Sequence, residues 1–320
     1  MCVRVRIAPK GLLTMTQTVA ITGATGLIGS ALVHALHARG DRIVAFSRTA
    51  QPPAHFPGAV RMARWQPAHT AGLVRDLEGC DVIVNLVGAS IAGKRWTEPY
   101  KRILADSRVL ATQQLLAAVR QLPRRPHTLI SSSGSGYYGI DTHPKSEQSP
   151  AGTDFLAQLC VDWEAAAAPA QDDLHMRLAV VRTGVVLDRR AGALPLMALP
   201  FQLFVGGPIS PGSQMLSWIH IDDMVRIILW LIDNPQASGA YNACAPQPVS
   251  NATFSQALGH ALHRPSWLPV PQFALRTLFG EMAEALLIGG QAVIPQRLQS
   301  QGFTFTYATA EHALQQIWKG

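Results

Sequence analysis

The sequence predicts an α/β fold, a doubly wound parallel sheet followed by a smaller, mostly helical C-terminal lobe. Three observations point there. Short β-rich apolar runs alternate with helix-length stretches through the first half of the chain. Those runs are continuously apolar rather than alternating, the pattern of strands covered on both faces. A glycine-rich turn joins the first run to the first helical stretch. Strands separated by helix-length segments need crossover connections, and crossovers make a sheet parallel.

Taken in order, Thr18 to Thr22 reads as the first strand, Leu27 to His37 as the first helix and Arg42 to Phe46 as the second strand. Val82 to Leu86 is a further buried-type strand. One long helix is expected from Glu98 to Leu122, with Pro99 at a first-turn position where its missing N–H costs nothing. Thr128 to Ser131, a helix from Asp154 to Ala168, and Leu178 to Arg182 complete the alternating pattern. After Asp188 glycine and proline become frequent, as in Gly206-Gly207-Pro208 and Pro211-Gly212, which suits loops over a site. A helix from about Asp222 to Ile232 and several C-terminal helical stretches follow.

The 320 residues carry 48% hydrophobic and 15% charged side chains, enough for a sizeable core and too apolar for wholesale disorder. The longest apolar stretches fall short of a membrane span; Ile227 to Ile232 lies between Arg226 and Asp233. A net charge of +7 raises the question of nucleic acid, but the basic residues are scattered and no aromatic-interleaved stripe accompanies them. A basic surface that favours anionic small molecules is the expectation, with no nucleic-acid or membrane partner; a homo-oligomer stays open. Cys2, Cys80, Cys160 and Cys244 lie far apart without a C-x-x-C pair, so metal ligation and disulfides are not expected. Reduced thiols and a cytoplasmic location are. Residues 1–14 lack a signal-peptide pattern, and Met15 is the expected natural start.

Gly23-Ala24-Thr25-Gly26-Leu27-Ile28-Gly29 follows the first strand and opens a helix, the context in which a glycine motif means dinucleotide binding on a Rossmann-type sheet. Gly23 permits the tight turn, Gly26 lets backbone approach a pyrophosphate, and Gly29 lets the helix pack closely. Thr25, Leu27 and Ile28 share that loop, whose N–H groups and helix dipole suit phosphate charge. The second strand ends Phe46-Ser47-Arg48, without the carboxylate that would hold an unphosphorylated ribose. Ser47 and Arg48 therefore favour NADP(H) over NAD(H), the guanidinium pairing with a 2′-phosphate; a solvent-facing arginine is the alternative.

With Asn85-Leu86-Val87-Gly88-Ala89, the serine run ending in Tyr138-Gly139, and His220-x-Asp222-Asp223, this loop resembles the extended short-chain dehydrogenase/reductase superfamily. Within it the chain is similar to the atypical group described as epimerase family proteins and grouped with nucleoside-diphosphate-sugar epimerases. The similarity is carried by Lys94-Arg95-Trp96-Thr97, Asp106-Ser107-Arg108, Gly136-Tyr137-Tyr138-Gly139, Arg182 to Leu187, Ser217 to Asp223, Tyr241-Asn242-Ala243, Leu268 to Pro271, Gly280 to Glu284 and Gly289-Gly290-Gln291. It covers nearly everything from Thr16 onward. The resemblance implies a dinucleotide-binding domain over residues 16–235 and a substrate-side lobe over residues 236–320, with Leu86, Gly88 and Ala89 beside the cofactor.

The superfamily's usual proton-transfer pair is a Tyr and a Lys four residues apart on the helix that here runs from Phe155 to Glu164, and neither is present. The similar group shares this departure, so its epimerase label implies ancestry rather than a given activity. Ser133, Tyr137 and Tyr138 remain as candidate catalytic residues; the alternative is that they cap backbone and pack beside the cofactor. The implied function is an NADP(H)-binding oxidoreductase or epimerase-like enzyme for a small carbonyl or sugar-nucleotide substrate. The alternative is a non-catalytic dinucleotide-sensing or interaction protein. Cys160 reads as a small buried hydrophobe, and Lys94, Arg95 and Trp96 as a loop facing an anion or solvent. One Asp of Asp222–Asp223 is expected to cap the following helix. Trp267, Phe273, Phe279, Met282 and Leu286 are expected to pack in a core or lid, and Glu281 with Glu284 to face solvent.

Overall fold

The computed structural model describes residues 16–65 and 71–319, so the expectation about Met15 lies outside the described residues. Seven strands form one parallel sheet: β1 (Thr18–Thr22), β2 (Arg42–Ser47), β3 (Arg61–Arg64), β4 (Val82–Asn85), β5 (Thr128–Gly134), β6 (Arg177–Thr183) and β7 (Gly239–Ala243). Their order across the sheet is β3-β2-β1-β4-β5-β6-β7, and every pairing is parallel. The chain starts mid-sheet, winds outward to β3, then returns to β4 and winds the other way. That reversal opens a crevice at the carboxyl ends of β1 and β4. In register, Thr22 lies beside Asn85 and Asn85 beside Ser131, while Ser133, Arg182 and Asn242 form a second row.

Helices cover both faces, as the apolar strands require. On one, α1 (Leu27–Arg39) and α7 (Ile221–Asp233) bury Leu32, Leu36, Ile227, Ile228 and Leu231 against Val19 and Ile21. On the other, α2 (Ala71–Leu77) and α4 (Val109–Arg120) bury Leu77, Leu115 and Val119 against Ala20, Ile83 and Leu129. A third cluster packs α6 (Leu194–Gln202), α8 (Asn251–Leu262) and α9 (Ala310–Lys319) around Trp218, Phe254 and Leu314. Among the described residues no helix is long and apolar enough to cross a membrane.

Local signals explain most boundaries. Gly40, at φ 90°, closes α1 by donating to Leu36 and His37 carbonyls. Thr97 caps α3 (Glu98–Asp106) and Asp154 caps α5 (Phe155–Ala167) through their side-chain oxygens. The single helix expected from Glu98 to Leu122 is instead two, α3 and α4, parted at Ser107 and Arg108. Neither residue breaks a helix by itself, so the cause is tertiary. Ser107 Oγ accepts from Ala89 N–H at 2.9 Å, and Arg108 Nη2 donates to the Ala89 carbonyl at 2.9 Å. The break aims both side chains at the loop after β4.

At α7 the expectation also needs correcting. His220, not an aspartate, is the cap: its Nδ1 accepts from Asp222 N–H at 3.1 Å, with its ring stacked on Tyr307. Asp223 is fully buried and accepts from the backbone of Thr306 and Tyr307 at 3.0 and 2.8 Å while pairing with Arg226. It ties α7 to the segment leading into α9. Asp223→Ala would strand two backbone donors and a cation at once, so we expect a loss of about 3 kcal/mol. Denaturant unfolding of the variant checks this; an unchanged midpoint would show that the clasp contributes nothing.

Candidate dinucleotide site

Gly23 turns the chain after β1 at φ 64°, a conformation that favours glycine. A Cβ there would also stand 2.7 Å from the Leu86 carbonyl oxygen, so the turn presses directly on the segment after β4. Gly26 N–H donates to Gly23 O at 3.0 Å, closing the turn, and Gly26 caps α1 with no side chain in front. The first N–H groups of α1 are thus left to whatever occupies that space. At Gly29 a Cβ would meet Gly23 O at 2.4 Å, which shows how tightly helix and turn pack. Thr25 and Gly26 are exposed, and Leu27 and Ile28 are half-buried. An open glycine face beneath a helix N-terminus fits a pyrophosphate.

At the end of β2, Ser47 is buried and its hydroxyl both donates to the Thr49 carbonyl and accepts from Thr49 N–H, pinning the turn. Arg48 is exposed, with no hydrogen-bond or ion-pair partner among the described residues. Across the crevice, Leu86 and Ala89 are half-buried and Gly88 is exposed. Residues fit for the adenosine, pyrophosphate and ribose of a dinucleotide therefore ring the switch point. Ser131 Oγ, fully buried beside Asn85, has no hydrogen-bond partner among the described residues.

The candidate catalytic residues meet in one network. Arg182 projects from β6 and pairs twice with Glu164 of α5, through Nε and Nη2, each at 2.8 Å. Ser133 Oγ donates to the same carboxylate at 2.7 Å. Arg182 Nη1 donates to Tyr138 Oη at 2.9 Å, and that hydroxyl donates to Asn242 Oδ1 at 2.7 Å. Asn242 in turn donates to the Ile294 carbonyl at 2.9 Å. The Arg182 guanidinium lies 3.3 Å from the centre of the Tyr137 ring. Burial works against the Arg182 charge, but the bonded Glu164 outweighs it and holds the guanidinium above its usual pKa. Burial pushes the Tyr138 hydroxyl up to about 12 despite its neighbouring cation, so it keeps its proton through neutrality. Tyr137 is half-buried, and its hydroxyl has no hydrogen-bond partner among the described residues.

Glu164, Asn242 and the site role of Arg182 were missed by sequence reasoning, although a signal existed. An arginine inside a continuously apolar strand needs a partner, and Glu164 is the one acid in the Trp163–Ala167 stretch of α5. Cys160 is buried, and desolvation raises its thiol to about 11, the behaviour of an inert small hydrophobe. Lys94 and Arg95 are exposed, but Trp96 is buried and donates to the Ile91 carbonyl. Glu281 and Glu284 do not act as a pair: Glu281 bridges to Lys101 and Glu284 to Arg276. Of the aromatic and apolar stripe, Met282 is buried while Trp267, Phe273 and Phe279 are exposed, so a packed core does not account for it.

The site has counterparts among known proteins. The family model "NAD dependent epimerase/dehydratase family" matches residues 19–244, and a "Domain of unknown function (DUF1731)" matches residues 270–317. An Arabidopsis thaliana protein named epimerase family protein SDR39U1 homolog, chloroplastic, is 40% identical over 94% of this chain and 86% of its own length. Epimerase family protein Mb2239 of Mycobacterium bovis is 41% identical over 92% of this chain and 96% of its own. The crystal structure of human epimerase family protein SDR39U1 with NADPH superposes with a TM-score of 0.85 at 34% identity, covering 94% of this chain and 99% of that one. The Rossmann-type sheet, the glycine turn at its switch point and these matches along the chain place the protein in the NAD-dependent epimerase/dehydratase family.

Proposed function

We propose that the protein is an NADP(H)-dependent oxidoreductase or epimerase-like enzyme, acting in the cytoplasm on a small carbonyl or sugar-nucleotide substrate. The observation that carries this is the Gly23–Gly29 turn, packed too tightly against Leu86 and Ala24 for side chains yet open in front of α1. Gly23, Thr25, Gly26, Leu27, Ile28 and Gly29 hold the pyrophosphate; Leu86, Gly88 and Ala89 lie beside the cofactor. Ser47 fixes the turn from which unpartnered Arg48 reaches a 2′-phosphate. The human relative bound to NADPH supports the same choice of cofactor. When bound, the nicotinamide supplies hydride transfer.

The chain's own contribution is orientation and a proton. Ser133 and Tyr138 spend their hydroxyl protons on Glu164 and Asn242, and so hold the Arg182–Glu164 pair in place. Tyr137, stacked on Arg182 with an unclaimed hydroxyl, is the group we assign to proton donation at the substrate oxygen. The same internal use of Ser133 and Tyr138 favours one second reading, a dinucleotide-sensing protein without turnover.

Four substitutions test this reading. Arg48→Glu should weaken NADPH binding by at least about tenfold while leaving NADH within about threefold, since one charge-assisted phosphate contact is worth about 1.5–3 kcal/mol. Calorimetric titration of both nucleotides checks this, and equal loss of the two would remove Arg48 from the phosphate site. Gly26→Ala places a methyl 3.2 Å from Gly23 O, a contact that asks a shift of a few tenths of an ångström from the turn, in the space a pyrophosphate needs. It should unfold within about 3 °C of the parent and bind NADPH at least about tenfold more weakly. Tyr137→Phe should keep its stability and lower NADPH consumption about a hundredfold across carbonyl and sugar-nucleotide substrates. Tyr138→Phe should instead cost about 1–2 kcal/mol of stability by unpairing Asn242 and Arg182. Tight NADPH binding by a parent protein that consumes none with any substrate would favour the sensor.

A further inference from the structure

Among the described residues, Arg108 is a buried cation without a countercharge. It is 7% exposed, and among the described residues no carboxylate lies within 4 Å of its guanidinium. Its partners are dipoles. Nη1 donates to the Leu104 carbonyl at 3.1 Å, Nη2 to the Ala89 carbonyl at 2.9 Å, and the Trp163 ring centre is 5.1 Å away. The ionisable groups whose fields it feels are Cys160 and Tyr100, and burial draws its pKa below the usual arginine value. The Leu104 carbonyl, in the last turn of α3, favours the charge; the start of α4, where Arg108 is the cap residue, opposes it. A buried charge left in this condition costs stability, and replacing it by an apolar side chain is ordinarily neutral or stabilising.

The location explains why such a residue would be kept. Arg108 and Ser107 bracket Ala89 from both sides, one taking its N–H and the other its carbonyl. A Cβ on Gly88 would stand 3.1 Å from Arg108 Cζ and 3.2 Å from Nη2, so the guanidinium lies directly under an exposed glycine of the crevice floor. Two residues earlier, the Leu86 carbonyl abuts Gly23 of the phosphate turn. We infer that Arg108 is a positioning residue whose missing countercharge is the anionic dinucleotide: it fixes the Gly88–Ala89 floor and supplies positive potential beneath the bound phosphates. This rests on the dinucleotide reading of the site.

The test compares the parent with Arg108→Met and Arg108→Lys, measuring thermal unfolding without nucleotide and NADPH affinity by calorimetry at low and moderate salt. The expected result is an Arg108→Met protein that unfolds within about 3 °C of the parent, or above it. Its NADPH affinity should fall at least about tenfold with a shallower salt dependence, and Arg108→Lys should recover most of the loss. NADPH affinity of Arg108→Met within about threefold of the parent overturns the inference and leaves the dinucleotide reading standing. So does a lysine variant that folds yet binds as weakly as the methionine one, since charge is then not what matters. If only the lysine variant folds, parent-like affinity supports the inference and a tenfold loss overturns it; failure of both to fold makes Arg108 a purely structural residue. A folded parent that binds no NADPH removes the dinucleotide reading itself, and this inference with it.

Discussion

The pairing of Arg182 with Glu164 organises the carboxyl end of the sheet. A charge on an interior strand is tolerable only when another group neutralises it and its remaining donors are satisfied. Here the carboxylate comes from α5 across the sheet face, and the remaining donor goes to Tyr138. Meeting that demand fixes several elements at once: the rotation of α5, the path of the Ser135–Tyr138 turn, and the placement of Ser133 at the end of β5. It also reaches beyond the sheet, because Tyr138 passes the chain of hydrogen bonds through Asn242 to the Ile294 carbonyl. One electrostatic requirement therefore orders the β5–β6–β7 side of the crevice at the carboxyl ends of the strands.

The two walls are built on different principles. The glycine side is made by absence: residues whose missing side chains let backbone approach backbone and leave N–H groups uncovered. The opposite side is made by dense polar pairing, in which Ser133, Tyr138, Glu164, Arg182 and Asn242 hold one another. The first is suited to an anion that arrives from solution. The second is already satisfied, apart from the Tyr137 hydroxyl at its margin, so it resembles a rigid backing more than a proton relay.

Much of this was legible in the sequence, for reasons that are local. The strands were readable because burial on both faces leaves continuous apolar runs, and the glycine turn because strand, glycine spacing and helix coincide at Gly23–Gly29. Thr97, Asp154 and Gly40 signal their helix ends by residue type. What escaped was set by contacts between distant parts of the chain. Ser107 and Arg108 break a helix because Ala89 lies across from them, and nothing within that stretch betrays it. His220 caps α7 because Tyr307 fixes its ring, 87 positions along the chain. Trp267 and Phe273 of the near-helical stripe are exposed and pack in no core, since periodicity records a face and not what covers it.

β7 enters the sheet late, after the chain has already left it for α6 and α7, and from there the backbone runs on into the C-terminal helices. Asn242 on β7 receives the Tyr138 hydroxyl and donates its own N–H to Glu147, while Val293 donates to Ser217 across the same seam. The C-terminal portion is thus stitched to the sheet by buried polar threads rather than resting on it through interchangeable apolar surface. Exchange of this portion between relatives, whether by recombination or by chimera building, has to carry both ends of each thread together. Point changes that spare Asn242, Glu147, Ser217 and Tyr138 leave those threads whole, whereas trading the segment alone cuts them.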